Sequence, residues 1–151
     1  MNDLLDLYQD IILEHNKRPR NRGLPDPSDA QAEGLNPVCG DEISVGIKLN
    51  GERIEGIGFA GQGCAISTAS ASLMTEQVKG KTKADAKTEI ARVMTLFSEE
   101  GPPEGEVGLD TWGELAALQG VRQFPARVKC ATLAWHALDA ALDGKSEVTT
   151  E

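Results

Sequence analysis

The sequence predicts an α+β fold, and three observations predict it: a strongly marked β-hairpin between residues 42 and 61, an amphipathic helix before it, and a succession of helical segments after it. With 151 residues, 40% of them hydrophobic, the chain is long enough for one core and too short to divide comfortably, so residues 1–151 are expected to form a single domain.

The first helix is expected over residues 3–15, because Leu4, Leu5, Tyr8, Ile11 and Ile12 recur at helical spacing opposite Asp6, Gln9, Asp10 and Glu14. It ends before Pro19. Residues 17–35 hold Pro19, Gly23, Pro25, Pro27 and Gly34 among polar residues, the composition of a loop. From Glu42 the pattern becomes that of a strand: Ile43, Val45, Ile47 and Leu49 alternate with Ser44, Gly46 and Lys48 up to Asn50-Gly51, a strong hairpin signal. The return strand carries Ile54, Ile57 and Phe59, so its period of two slips once, and a bulge near Gly56 would restore one buried face.

Residues 65–79 are rich in Ala and Ser, contain no proline and stop before Gly80, which marks a helix with Cys64 at its N-terminus. Thr82 and Asp85 resemble a capping box, and Ile90, Val93, Met94 and Phe97 give the next helix its apolar stripe. Glu99 to Gly108 is rich in turn residues, Leu109 to Leu118 suits a short helix, and about Pro125 to Leu142 suits a long one closed by Gly144. The tail SEVTTE is expected to fray.

Composition excludes some classes of function. A net charge of -9 repels phosphate backbones, so nucleic acid is not an expected partner. No apolar run approaches the roughly 20 residues of a membrane span, and nothing in residues 1–16 reads as a signal peptide, so a soluble cytoplasmic protein without a membrane partner is expected. In a reducing compartment, three cysteines point to metal binding or reactivity rather than to disulfides.

The cysteines stand far apart, and no local CxxC pair joins them, so any shared site must be assembled by the fold. If the NPVCGD segment is extended, Cys39 and Asp41 point to one face and offer a sulfur and an oxygen to one ion; otherwise Asp41 is a turn residue and Cys39 small apolar filler. Cys64, in the glycine-rich GQGC turn, is either a thiolate favoured by the helix dipole or a packing residue. Helical periodicity puts Cys130 in the core beside Leu133, Ala134, Ala137 and Leu138, with adjacent Lys129 the local argument for an activated thiol. Neither histidine is expected to be a ligand: His136 turns away from Cys130 along its helix, and His15 suits a cation at a helix C-terminus. Met74, Met94, Trp112 and Trp135 are expected in the core, and no nucleophile elbow supports a serine hydrolase.

The segments GLNPVCGD, GQGCAISTASASLMTEQVKGK and ARVKCATLAWHAL, in this order, with LYQDIILEHNKRPRNRG ahead of them, resemble the IscU/SufU family of iron–sulfur biogenesis proteins over most of residues 4–143. The resemblance implies a small antiparallel sheet with helices packed on one side. It implies that Cys39, Asp41, Cys64 and Cys130 converge on one metal site. Two features resemble SufU rather than IscU: Lys129 stands where IscU scaffolds carry a histidine, and the chain has an extra stretch, roughly Ser98 to Gln119.

The SufU likeness implies a zinc-dependent sulfurtransferase taking persulfide sulfur from a SufS-type cysteine desulfurase, with an iron–sulfur cluster scaffold as the alternative and a purely structural zinc domain as a third possibility. Three thiolates and one carboxylate around zinc carry a net charge of about -2 and close a tetrahedral shell. The same likeness implies that a partner histidine replaces one ligand so that a thiolate can attack. Cys39, on a loop, is the expected sulfur acceptor and catalytic residue.

Overall fold

The computed structural model describes residues 3–103 and 107–150. Its elements run α1 (Asp3–Lys17), β1 (Ala30–Asn36), β2 (Asp41–Asn50), β3 (Arg53–Gln62), α2 (Ala65–Val78), α3 (Lys83–Leu96), α4 (Leu109–Trp112), a 3-10 segment (Gly113–Gln123), α5 (Pro125–Leu142) and β4 (Glu147–Thr149). The α+β expectation holds.

The sheet has the order β3-β2-β1-β4. Strand β2 is antiparallel to both its neighbours, β1 and β3, while β4 runs parallel to β1, so the sheet is mixed where a purely antiparallel one was expected. The hairpin and its bulge lie where the sequence puts them: Lys48 faces Gly56 and Leu49 faces Ile54, which leaves Glu55 as the extra residue. That one residue restores Ile54, Ile57 and Phe59 to the buried face.

Two strands correct the sequence-based expectation. Residues 30–36 are not loop but β1, whose buried positions are Ala32, Gly34 and Asn36. No large apolar residue occupies its buried positions, because α5 packs directly on it: a Cβ on Gly34 would lie 3.0 Å from Leu133 Cδ1 and 3.3 Å from Ala137 Cβ. Nor does the tail simply fray, since β4 is tied to β1 by Glu33 N–H to Ser146 O at 2.9 Å and Thr150 N–H to Leu35 O at 3.0 Å. Glu151 lies outside the described residues, as do residues 104–106 of the turn-rich stretch before α4.

Helix α2 is buried on nearly every side, which its Ala and Ser composition permits by allowing close approach. Ser70 joins it to α5, donating to Ala131 O at 2.5 Å and accepting from Trp135 Nε1 at 3.0 Å. Thr82 caps α3 by accepting from Asp85 N–H at 3.1 Å. The short helix expected over Leu109–Leu118 is broken at Gly113, whose φ of 59° ends α4, and the chain continues as the 3-10 segment. Arg92 over the Trp112 ring, 3.7 Å from its centroid, fixes this region to α3.

His15 also departs from expectation. Rather than a solvated cation at a helix end it is 1% exposed, with Nδ1 2.7 Å from Ser72 Oγ and Nε2 3.1 Å from Glu114 Oε1. It therefore links α1 to α2 and to the 3-10 segment.

Candidate metal centre

The core ends in a polar corner where β1, β2, the start of α2 and the start of α5 meet. Register places Asn36 opposite Asp41 across the β1–β2 pair, on the face that α5 covers. Leu133 packs on Gly34; two residues along the strand is Asn36, and three residues back along the helix is Cys130. The strand period of two and the helix period of 3.6 thus bring Cys130 over the Asn36–Asp41 pair. Cys130 is completely buried, so helical periodicity correctly placed it on the core face; the centre occupies the end of that face.

Cys39 lies in the turn of residues 37–40 rather than in an extended segment. That turn is closed by Gly40 N–H donating to Asn36 O at 2.9 Å, with Gly40 at φ 73°. It brings Cys39 back over Asp41 and leaves it exposed at the mouth of the site. One donor atom each from Cys39, Asp41 and Cys130 lies within 4.8 Å of the others.

Cys64 stands just outside this tight trio, half-buried at the N-cap of α2. Its N–H donates to Asp41 Oδ1 at 2.9 Å, and its thiol interacts with that of Cys130. The structure thus brings the three thiols and the carboxylate to one corner, with Cys64 at its edge. Burial, and then the nearby Asp41, Cys39 and Cys64, push the Cys130 thiol far up from its ordinary range.

The surroundings suit a soft divalent cation. Zinc sites take sulfur at about 2.3 Å and carboxylate oxygen at about 2.0–2.2 Å, which sets tetrahedral donors roughly 3.3–3.8 Å apart. The trio is spread over at most 4.8 Å, and its exposed member sits on a turn. Room has been kept clear as well: a Cβ on Gly63 would meet Asp41 Oδ1 at 2.9 Å and Ser67 Oγ at 3.0 Å. Ser67 Oγ is buried and has no hydrogen-bond partner among the described residues. Hence the cluster of Cys39, Asp41 and Cys130 can bind a metal ion. Sequence reasoning missed Asn36, Gly63 and Ser67, whose parts depend on contacts across strands and turns.

Arg127, three residues before Cys130, is exposed and lines a groove of about 610 Å³ with Ile12, Ala65, Ile66 and Phe124. Among the described residues no helix is long and apolar enough to cross a membrane.

A four-stranded sheet, a buried small-residue helix and thiols grouped with a carboxylate at one corner define an α+β protein with a candidate metal site. The family description "NifU-like N terminal domain" matches residues 7–131. The chain is 43% identical over 133 residues to the zinc-dependent sulfurtransferase SufU of Bacillus subtilis (strain 168), an alignment covering 88% of this chain and 87% of that protein. It is 42% identical over 147 residues to the iron-sulfur cluster assembly scaffold protein IscU of Streptococcus pyogenes serotype M1, covering 94% and 86% respectively. A crystal structure described as that of a hypothetical protein matches with a TM-score of 0.81 and 40% identity, covering 91% of this chain and 98% of that one. The chain belongs to the IscU/SufU family of iron–sulfur cluster biogenesis proteins.

Proposed function

We propose that this protein is a single-domain, cytoplasmic, zinc-dependent sulfurtransferase that accepts persulfide sulfur from a SufS-type cysteine desulfurase for iron–sulfur cluster assembly. The observation that carries this reading is the unequal exposure of the donor set: Cys39 is exposed on a turn, while Asp41 and Cys130 are buried and held by their elements. A thiol that must meet a partner's persulfide has to be reachable, and its companions do not. Lys129 ahead of Cys130 favours the SufU-like reading over the scaffold one, because IscU scaffolds carry a histidine there.

Zinc would be held by Cys39, Asp41, Cys64 and Cys130, and when bound would keep the thiols ionised at neutral pH. In the transfer itself the Cys39 thiolate forms a bond to the terminal sulfur of the donor persulfide. The donor's sulfur–sulfur bond breaks, its electron pair leaves with the desulfurase thiolate, and Cys39 carries the persulfide with no net oxidation. The turn of residues 37–40 presents the thiol, and the buried Asp41 and Cys130 keep its surroundings ordered.

Incubation with a SufS-type desulfurase and free cysteine should leave one additional sulfur on Cys39, seen by mass spectrometry, and Cys39→Ser should abolish stimulation of desulfurase turnover. Sulfur found mainly on Cys64 or Cys130, with Cys39→Ser still active, overturns the assignment. The scaffold reading is carried by the same donor set, and protein isolated without oxygen that contains iron and labile sulfide in place of zinc would establish it.

A further inference from the structure

We infer that Asn36 is a positioning residue for the metal donor set, a buried amide that orients Asp41 and Cys130 and fixes the turn that carries Cys39. The inference rests on the metal-site reading and is independent of sulfur transfer.

Asn36 is completely buried and touches three of the four proposed ligands or their supports. Its Nδ2 donates to Asp41 Oδ2 at 3.0 Å and lies 3.6 Å from Cys130 Sγ. Its backbone carbonyl accepts from Gly40 N–H at 2.9 Å, the bond that closes the Cys39 turn. Because Cys64 N–H takes the other Asp41 oxygen, the carboxylate is held from both sides and its plane is set before any ion arrives.

The amide is itself oriented. Its Oδ1 accepts from Thr150 Oγ1 at 3.1 Å, and Thr150 is held in turn by its N–H to Leu35 O. Reversing the amide would set its carbonyl oxygen against a carboxylate and a thiolate, both electron-rich, and its NH2 group against the Thr150 hydroxyl. The C-terminal strand therefore does more than extend the sheet: through Thr150 it keeps a donor pointed at anions. An amide suits this place because it donates without adding charge, whereas a carboxylate would repel the donors and an aliphatic side chain would leave Asp41 Oδ2 unsatisfied in a buried site.

The test measures zinc by chelator competition, together with the absorption spectrum of the cobalt(II)-substituted protein, which reports the ligand field rather than the fold. Asn36→Ala should lower zinc affinity about 10- to 100-fold, the range seen when an outer-shell partner of a ligand is lost. Asn36→Asp, similar in size but unable to donate when ionised, should lower it more, and Thr150→Val should lower it about 3-fold with the melting temperature of the zinc-free protein unchanged. The cobalt bands should shift in all three. The inference is overturned if the parent protein binds zinc tightly while the Ala and Asp variants bind within 2-fold of it, or if Asn36→Asp binds better than Asn36→Ala. Should both Asn36 variants fail to fold, Thr150→Val decides alone, and parental affinity with an unshifted cobalt spectrum overturns the inference. A parent that binds neither zinc nor cobalt refutes the metal-site reading instead.

Discussion

Cys64 donates its backbone N–H to Asp41 Oδ1 at 2.9 Å across 23 residues of sequence, so one proposed ligand is held in place by the main chain of another. The bond ties the start of α2 to the start of β2 and cannot be removed by changing the Cys64 side chain. Asp41→Ala deletes it, deletes the bond to Asn36, and opens a coordination position. Zinc affinity should fall at least about 10-fold in a chelator titration. Cys64→Ser and Cys130→Ser should also lose zinc, by loss of a thiolate, and parental zinc content in any of the three would remove that residue from the donor set.

Stripping the metal should lower the melting temperature. Ion binding to the native state alone, at about 1,000 times its dissociation constant, contributes about 4 kcal/mol. For a chain of this size that is about 10 °C. Differential scanning calorimetry before and after verified zinc removal measures it, and coincident transitions would separate the metal from stability.

Two glycines on the way into α2 should behave differently when given a methyl group. At Gly61, φ is 114° and a Cβ would stand 2.1 Å from Glu42 O, a backbone atom of the neighbouring strand, so Gly61→Ala should cost about 3 kcal/mol or more in urea unfolding. At Gly63 the approaches are milder, 2.9 Å to Asp41 Oδ1 and 3.0 Å to Ser67 Cβ and Oγ, and all are to side-chain atoms, so a few tenths of an ångström of adjustment falls on the donor set rather than on the sheet. Gly63→Ala should keep most of the stability and weaken zinc about 10-fold. Equal losses of stability in the two variants would contradict the distinction.

Burial lowers the His136 pKa from its ordinary value, partly opposed by the nearby Asp139 carboxylate. Between that lowered value and about 6.5 the unfolded chain binds a proton that the folded chain resists, so this stabilisation is whole above about pH 6.5 and fades as the pH falls. In zinc-free protein, His136→Gln should flatten the decline in urea-unfolding free energy between pH 7.5 and 5.5. A slope unchanged by the substitution would show that His136 takes no part in it.

The parts of the fold that were legible in the sequence are those whose cause is local. Asn50-Gly51 announces the β2–β3 turn, the slipped period announces the bulge at Glu55, and Pro125 and Gly144 bracket α5. Strand β1 was illegible because its inward positions must be small or polar: Gly34 makes way for Leu133 and Ala137, and Asn36 faces Asp41. Strand β4 offers only Val148 as an apolar residue and owes its existence to a parallel neighbour far back in the chain. His15 looked like a helix-end cation because its partners, Ser72 and Glu114, stand 57 and 99 residues away. Cys39, Asp41, Cys64 and Cys130 could be named as candidates from residue type and from the family likeness. That Asp41 is gripped on both oxygens could not, since one grip comes from a main-chain N–H.

The distance in sequence between the donors has a kinetic consequence. Asn36 and Cys130, in contact at the centre, are 94 residues apart, whereas the ligands of a small zinc finger are near neighbours that an ion can gather from a disordered chain. Here the ordering of a long loop has to be met by hydrophobic packing before Cys130 can join Cys39 and Asp41 around an ion. Zinc bound at such a site would be a latecomer that finds a topology already formed, and its affinity would act on escape from the native state rather than on arrival there. Folding rates with and without the ion should coincide, while the holo protein unfolds more slowly, so that the metal lengthens the lifetime of the fold without helping the chain to find it.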